Sequence, residues 1–154
     1  MVERYGIGGC ILRLFTDVMT VYNYIKNQDE TETWQRNIIK GVQWSHSKTE
    51  TTVSNGVITQ NKVESITIDF KKDYGNAEYV DPVTFASLED KTGYWTLNAK
   101  SKQDIIVLGE TENEISKSYK IGTLQDDFQY SGTVKSVSDN RNRRMLKNMK
   151  VVVQ

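Results

Sequence analysis

Residues 34–44, WQRNIIKGVQW, place Trp34, Arg36, Ile38, Lys40, Val42 and Trp44 at every second position. Successive side chains on a β-strand point to opposite faces, so this spacing predicts one strand face carrying both tryptophans, two aliphatics and two cations. Gln35, Asn37, Ile39, Gly41 and Gln43 fall on the other face. A face of that kind serves a core, a ligand platform or a contact with another chain.

Outward from this segment the chain reads as strand after strand. MTVYNYIK (19–26) alternates and is rich in β-formers, and NQDETET (27–33) is polar and turn-like. TTVSNGVITQ (51–60) holds Asn55-Gly56 between two β-branched runs, which predicts a tight hairpin with positive φ at both turn positions. KVESITIDF (62–70) puts Glu64, Ile66, Ile68 and Phe70 on one face, the pattern of a half-buried strand.

KKDYGNAEYVDP (71–82) reads as a loop, and VTFASLEDKTGYWTL as a short strand or turn with a return at Gly93. DIIVLGE (104–110) is an apolar run of strand length. NEISKSYKIG (113–122) is the only helical turn expected. FQYSGTVKSVS (128–138) and MLKNMKVVVQ (145–154) are strands flanking the cationic turn DNRNRR (139–144). The expected fold is all-β: a small barrel or sandwich of about seven or eight short antiparallel strands with little helix.

The length, 154 residues, suits one domain able to bury a core. Residues 1–18, with the Gly6-Ile7-Gly8-Gly9 run, read as an N-terminal arm or upstream-start extension. Residues 19–154 read as a single β-barrel domain. Lysine plus arginine and aspartate plus glutamate number 20 each, which argues against gripping nucleic acid by bulk charge. With one cysteine, Cys10, no intramolecular disulfide forms.

Catalytic chemistry finds few groups. His46 stands between Ser45 and Ser47, whose side chains point to the opposite face, so no triad is in view and the histidine is expected to face solvent. One histidine and one cysteine cannot close a zinc site. The acidic pairs Glu89-Asp90 and Asp126-Asp127, and the run Glu110, Glu112, Glu114, lie in predicted turns near lysines and read as solvated surface. No enzymatic activity, metal or cofactor is therefore expected. Arg141, Arg143, Arg144 and Lys147 form the one concentrated basic patch, suited to DNA phosphates, to an acidic partner or to solubility.

The order of segments resembles a family of short virion proteins from the structural modules of tailed bacteriophages and prophages, those of the head–tail joining, or neck, region. The matching elements are MTVYNYI, the IIKGVQW segment Ile38 to Trp44, and Trp95-Thr96-Leu97 leading to Asp104-Ile105-Ile106-Val107 and Gly109-Glu110. A turn at Ser136-Val137-Ser138-Asp139-Asn140-Arg141 follows before the last strand. The similarity spans residues 19–154. It departs from the pattern at Lys102-Gln103, where a glycine is usual, and in a last strand without an aromatic residue.

The resemblance implies a head-completion or stopper-like component. Such a protein closes the head after DNA packaging and provides the tail docking platform. It implies copies of the chain in a ring, dodecamer favoured over hexamer. Implied neighbours are an adaptor above and a tail terminator or tail tube below, with packaged double-stranded DNA passing through, weakly contacted, and no membrane. Its place would be the virion, assembled in the bacterial host cytoplasm. On that reading Trp34, Arg36, Lys40 and Trp44 form an oligomer or partner interface, and Arg141, Arg143, Arg144 and Lys147 line a DNA channel or dock a partner. Asn55 and Gly56 then tip a mobile loop. Other readings are a different virion role, such as decoration or tail component, and a monomeric β-barrel module for nucleic acid or carbohydrate.

Overall fold

The computed structural model describes residues 15–52, 54–144 and 147–154. It is mostly β, as the alternation predicts. Six antiparallel strands close into a ring in the order β1-β2-β3-β8-β7-β6. They are β1 (Asp17–Lys26), β2 (Glu32–Thr52), β3 (Ile58–Asp69), β6 (Ile105–Leu108), β7 (Ser131–Asp139) and β8 (Asn148–Val153). A two-stranded parallel pair, β4 (Glu78–Tyr79) with β5 (Tyr94–Trp95), lies in the connection from β3 to β6. Two short helices complete the fold, α1 (Pro82–Ser87) and α2 (Ile121–Asp127).

β2 departs from a uniform alternation at Gly41. Asp17 pairs with Val42 and Val18 with Lys40, so Gly41 has no partner on β1 and forms a β-bulge. One extra residue reverses the faces of everything beyond it. Ile39 points into the closed sheet, and so do Val42 and Trp44. The single six-residue face expected from the spacing is therefore two half-faces. Trp34, Arg36, Ile38 and Lys40 belong to the outer side, while Val42 and Trp44 belong to the interior.

Local chemistry fixes the bulge. Gly41 has φ +80°, a region where a Cβ is disfavoured. The Tyr74 ring lies over it, and a Cβ there would fall 2.6 Å from Tyr74 Cζ. Asn76 completes the clamp: its side-chain oxygen accepts from Lys40 N–H at 2.9 Å, and its amide donates to Lys40 C=O at 2.8 Å. Tyr74 donates its hydroxyl proton to Asp69 at 2.8 Å, and burial together with that carboxylate pushes its pKa up to about 12.

The interior core joins Met19 and Val21 of β1, Ile39, Val42 and Trp44 of β2, and Ile66 and Ile68 of β3 to Ile106, Val134, Met149, Val151 and Val153. The β3–β6 connection adds Trp95 and Leu97. Each aliphatic side chain so buried contributes about 1.5–3 kcal/mol. β1 and β6 are also buried on their outer face. Tyr22, Ile105 and Val107 pack there with Leu124 of α2, flanked by Trp34, Ile115, Tyr119, Ile121 and Phe128. Double-sided burial explains why 105–107 reads as an unbroken apolar run.

The expected hairpin is present, since β2 and β3 pair from Val42↔Ile68 to Thr52↔Ile58. Its turn is longer than a two-residue type. Gly56 has φ +80° but Asn55 does not adopt positive φ; instead Asn55 Oδ1 accepts from Val57 N–H at 3.1 Å. The helices also differ from expectation. α1 replaces the predicted strand or turn because Asp81 caps Thr84 N–H at 3.0 Å and Pro82 opens the helix. The helical turn expected at 113–122 instead starts at Ile121, where Ile121, Leu124 and Phe128 form an apolar stripe. Asp17 and Val18, assigned to an arm, are part of β1, and Asp17 accepts from Trp44 N–H at 2.8 Å. The rest of that arm, up to residue 14, lies outside the described residues.

A buried polar knot ties β1 to the segment before β6. Asp104 is 2% exposed. Its carboxylate accepts from Tyr24 N–H (2.9 Å), Asn98 N–H (2.8 Å) and the Asn23 amide (3.2 Å). Asn23 in turn donates to Thr96 C=O and accepts from Thr96 N–H. Burial pushes Asp104 up to about 6 against the pull of the three donors.

Two predictions follow from these constraints. Gly41→Ala should lower unfolding free energy in urea by about 2–4 kcal/mol, combining left-handed strain with overpacking. Adding Tyr74→Ala should relieve only the clash, so less than additive loss is expected. Asp104, protonated in the fold at a pH where the unfolded chain has released the proton, makes stability fall as pH rises from about 4 to 6. Its share of that fall is on the order of 2–3 kcal/mol. Urea midpoints of Asp104→Asn across this range should lose the slope.

Candidate functional site

The outer half-face of β2 leads to a broad, mainly apolar groove. Its floor and walls come from two segments far apart in sequence: Glu30 to Trp34, and Ile115, Ser116, Lys117 and Lys120. The first is shaped by the β1–β2 turn. Glu30 sits at φ 65°, Asn27 N–H bonds Thr31 C=O at 2.9 Å, and Asp29 accepts from both the N–H and the hydroxyl of Thr31. The second is held by Arg36, which donates to Thr111 C=O and pairs with Glu114, both at 3.1 Å. Tyr22, opposite Arg36 on β1, donates its hydroxyl proton to Asn113 C=O at 2.6 Å.

Trp34 forms the wall. Its indole N–H donates to Gln103 C=O at 3.1 Å, and its ring meets Tyr24 edge to face at 5.4 Å. The groove encloses about 720 Å³, within the usual range of binding clefts. Glu30, Glu32, Lys117 and Lys120 supply its charges. Of the four proposed interface residues, Trp34 thus lines a groove, Arg36 braces it and Lys40 is exposed. Trp44 belongs to the interior core, with 8% of its surface exposed.

Asn55 and Gly56 lie at the far end of β2, on the tip of a two-stranded ribbon. β1 leaves β2 at Val42, and β8 accompanies β3 only from Glu64. From Ser47↔Val63 to Thr52↔Ile58 the two strands pair with each other alone among the described strands. The tip exposes Val57 (54%) and Ile58 (62%). Residues 51–61 carry no charged side chain, in a chain of which 26% is charged.

The basic turn divides. Arg141 folds back on its own chain: it makes a two-pronged pair with Asp139 (2.9 and 2.7 Å) and lies 4.5 Å over the Tyr79 ring and 5.4 Å over Phe70. The guanidinium holds Asp139 below the usual carboxylate range. Arg143, Arg144 and Lys147 remain exposed.

His46, expected to face solvent, is 45% exposed at its side chain yet held. It lies opposite Glu64 across β2 and β3, and its Nδ1 meets Glu64 Oε2. The same oxygen accepts from Trp44 Nε1 at 2.5 Å, and Tyr130 stacks on the imidazole with centroids 4.1 Å apart. Sequence reasoning missed this Glu64 clamp, because His46 and Glu64 are brought together by the hairpin register.

Among the described residues, no cluster of three or more histidine, cysteine, aspartate or glutamate side chains is arranged to hold a metal. No curated protein and no solved structure matches the chain. One family does, across residues 14–153: it is described as a family of unknown function (DUF6751). The match begins just before β1 and ends at the last residue of β8, taking in the whole closed sheet, and the chain belongs to this family.

Proposed function

We propose that the chain is a structural protein of a tailed bacteriophage or prophage particle, a component of the head–tail connector. In that role it completes or closes the head after DNA packaging and provides the platform on which the tail docks. The segment order described above supports the reading. The structural observation that carries it is the β2–β3 ribbon, which leaves the closed sheet and ends in an uncharged, aliphatic tip. A hairpin standing alone is marginal in water, and exposed aliphatics at its end gain free energy only against another surface.

The partners in this reading are further copies of the chain in a ring and the neck proteins above and below it. DNA passes through and is touched lightly. A formally neutral chain suits that task, because a strongly cationic one would hold phosphates with steep salt dependence. Arg143, Arg144 and Lys147 are the cations free to face DNA or an acidic neighbour, whereas Arg141 braces the fold.

Two experiments test this. Mass spectrometry of purified particles from a host carrying the gene should find the chain in stoichiometric amounts; its absence from particles sinks the proposal. Arg143→Glu with Arg144→Glu should leave stability within about 0.5 kcal/mol yet reduce the yield of filled, tailed heads. Arg141→Glu should in addition cost about 1–2 kcal/mol in urea unfolding, through the lost ion pair and ring contacts. Normal particles from the double variant would remove the basic turn from the mechanism.

A further inference from the structure

We infer that the chain joins head to tail with copies of itself, the Val57–Ile58 tip of one copy seating in the Trp34 groove of the next. The inference deepens the assembly reading above and rests on it for the claim that copies meet. The two surfaces match in character. The tip presents two exposed aliphatics within an uncharged run, residues 51–61. The groove is lined mainly by apolar atoms, with Trp34 and Ile115 in its walls.

Charge fits as well. Two acidic residues, Glu30 and Glu32, and two basic ones, Lys117 and Lys120, line the groove, so its charges balance. A charged segment entering there would lose hydration and meet charges of its own sign. An uncharged tip leaves all four charges in water.

Geometry selects a second copy over the chain's own tip. The groove begins at the first residues of β2 and the tip follows its last, so a single strand of 21 residues separates them. A straight strand of that length spans roughly 65 Å. Within one copy the two surfaces lie at opposite ends of β2. Joining unlike surfaces of identical chains gives a heterologous contact, which propagates and closes into a ring when the rotation per step allows. The tip is too small to be a whole interface, since stable ones bury about 800 Å² per partner. It acts as the anchor of a larger contact.

The test uses the full chain and two kinds of variant. Val57→Asp with Ile58→Asp alters only the exposed tip. Glu32→Trp, at an exposed strand position on the same face of β2 as Trp34 and lining the groove, fills the groove while keeping a good β-former; Ile115→Asp is a second groove variant. Thermal unfolding checks that each folds, and sedimentation velocity over a concentration series reads assembly. Wild type should form oligomers, and either alteration should weaken association by at least about 30-fold. The decisive mixture combines tip-altered with groove-altered chains. It should yield one-to-one pairs and nothing larger, because only one competent tip and one competent groove remain.

If tip-altered chains assemble as wild type does, or the mixture yields no pairs, the contact is wrong. A wild-type chain that stays monomeric throughout the series overturns it too. Those results leave the particle reading to the mass spectrometry of virions. Conversely, one-to-one pairing by a chain missing from particles upholds the contact and defeats the particle reading.

Discussion

One unpaired glycine determines which side of β2 is inside. Before Gly41 the inward residue is Ile39; after it the inward residues are Val42 and Trp44. Without the bulge, continued alternation would turn Val42 and Trp44 outward and bring the Gln43 amide into the core in exchange. Such a swap would bury an unsatisfied amide and expose an indole, either of which exceeds the strain of one left-handed glycine. The bulge is therefore held from both sides, by the Tyr74 ring over Gly41 and the Asn76 amide on Lys40. A similar device recurs in β7, where the register shifts between Val134 and Ser136. It lets Val134 and Val137, three apart, both pack on the interior core.

The same closed sheet supports two cores of different kind. The interior one is aliphatic with Trp44 and Trp95 among it. The outer one, over β1 and β6, is built from Tyr22, Ile105, Val107 and Leu124 and bordered by rings with polar handles. Those handles hold the 109–120 connection: Tyr22 to Asn113, and Arg36 on the neighbouring strand to Thr111 and Glu114. The groove thus exists because a loop without regular structure is pinned against a strand face. Its apolar wall is the part of the outer core that the loop leaves uncovered.

Much of the fold was legible because period-two alternation is a local signal. KVESITIDF did place Ile66 and Ile68 inward, and Asn55-Gly56 did mark the hairpin connecting β2 and β3. The missed bulge had a local signal too, since glycine inside a strand marks such breaks. Asp81-Pro82 likewise carried the start of α1, overlooked beside the β-branched Val83 and Thr84. The groove and the Asp104 knot were of another class. They join residues 30–34 to 115–120, and Asn23 to Asp104, through the β1–β6 pairing, and no spacing along the chain announces that partner. Trp34 stood out in the alternation as a strand-face residue; the residues that line the groove beside it did not.

The spread of strand pairings also orders how the chain folds. β2 and β3 meet across a short turn, so their ribbon forms on the microsecond scale of hairpins. Closing the sheet demands pairing Met19 with Leu108 and Glu64 with Val153, each nearly ninety residues away. Sequence-distant β pairings slow folding by orders of magnitude, because chain entropy is lost before contacts reward it. The ribbon that carries the uncharged tip consequently starts to pair, as a marginal hairpin, while the sheet is still open, so the tip is exposed before the groove is finished. That order favours synthesis at low local concentration, since a sticky end without its socket is an invitation to mispair.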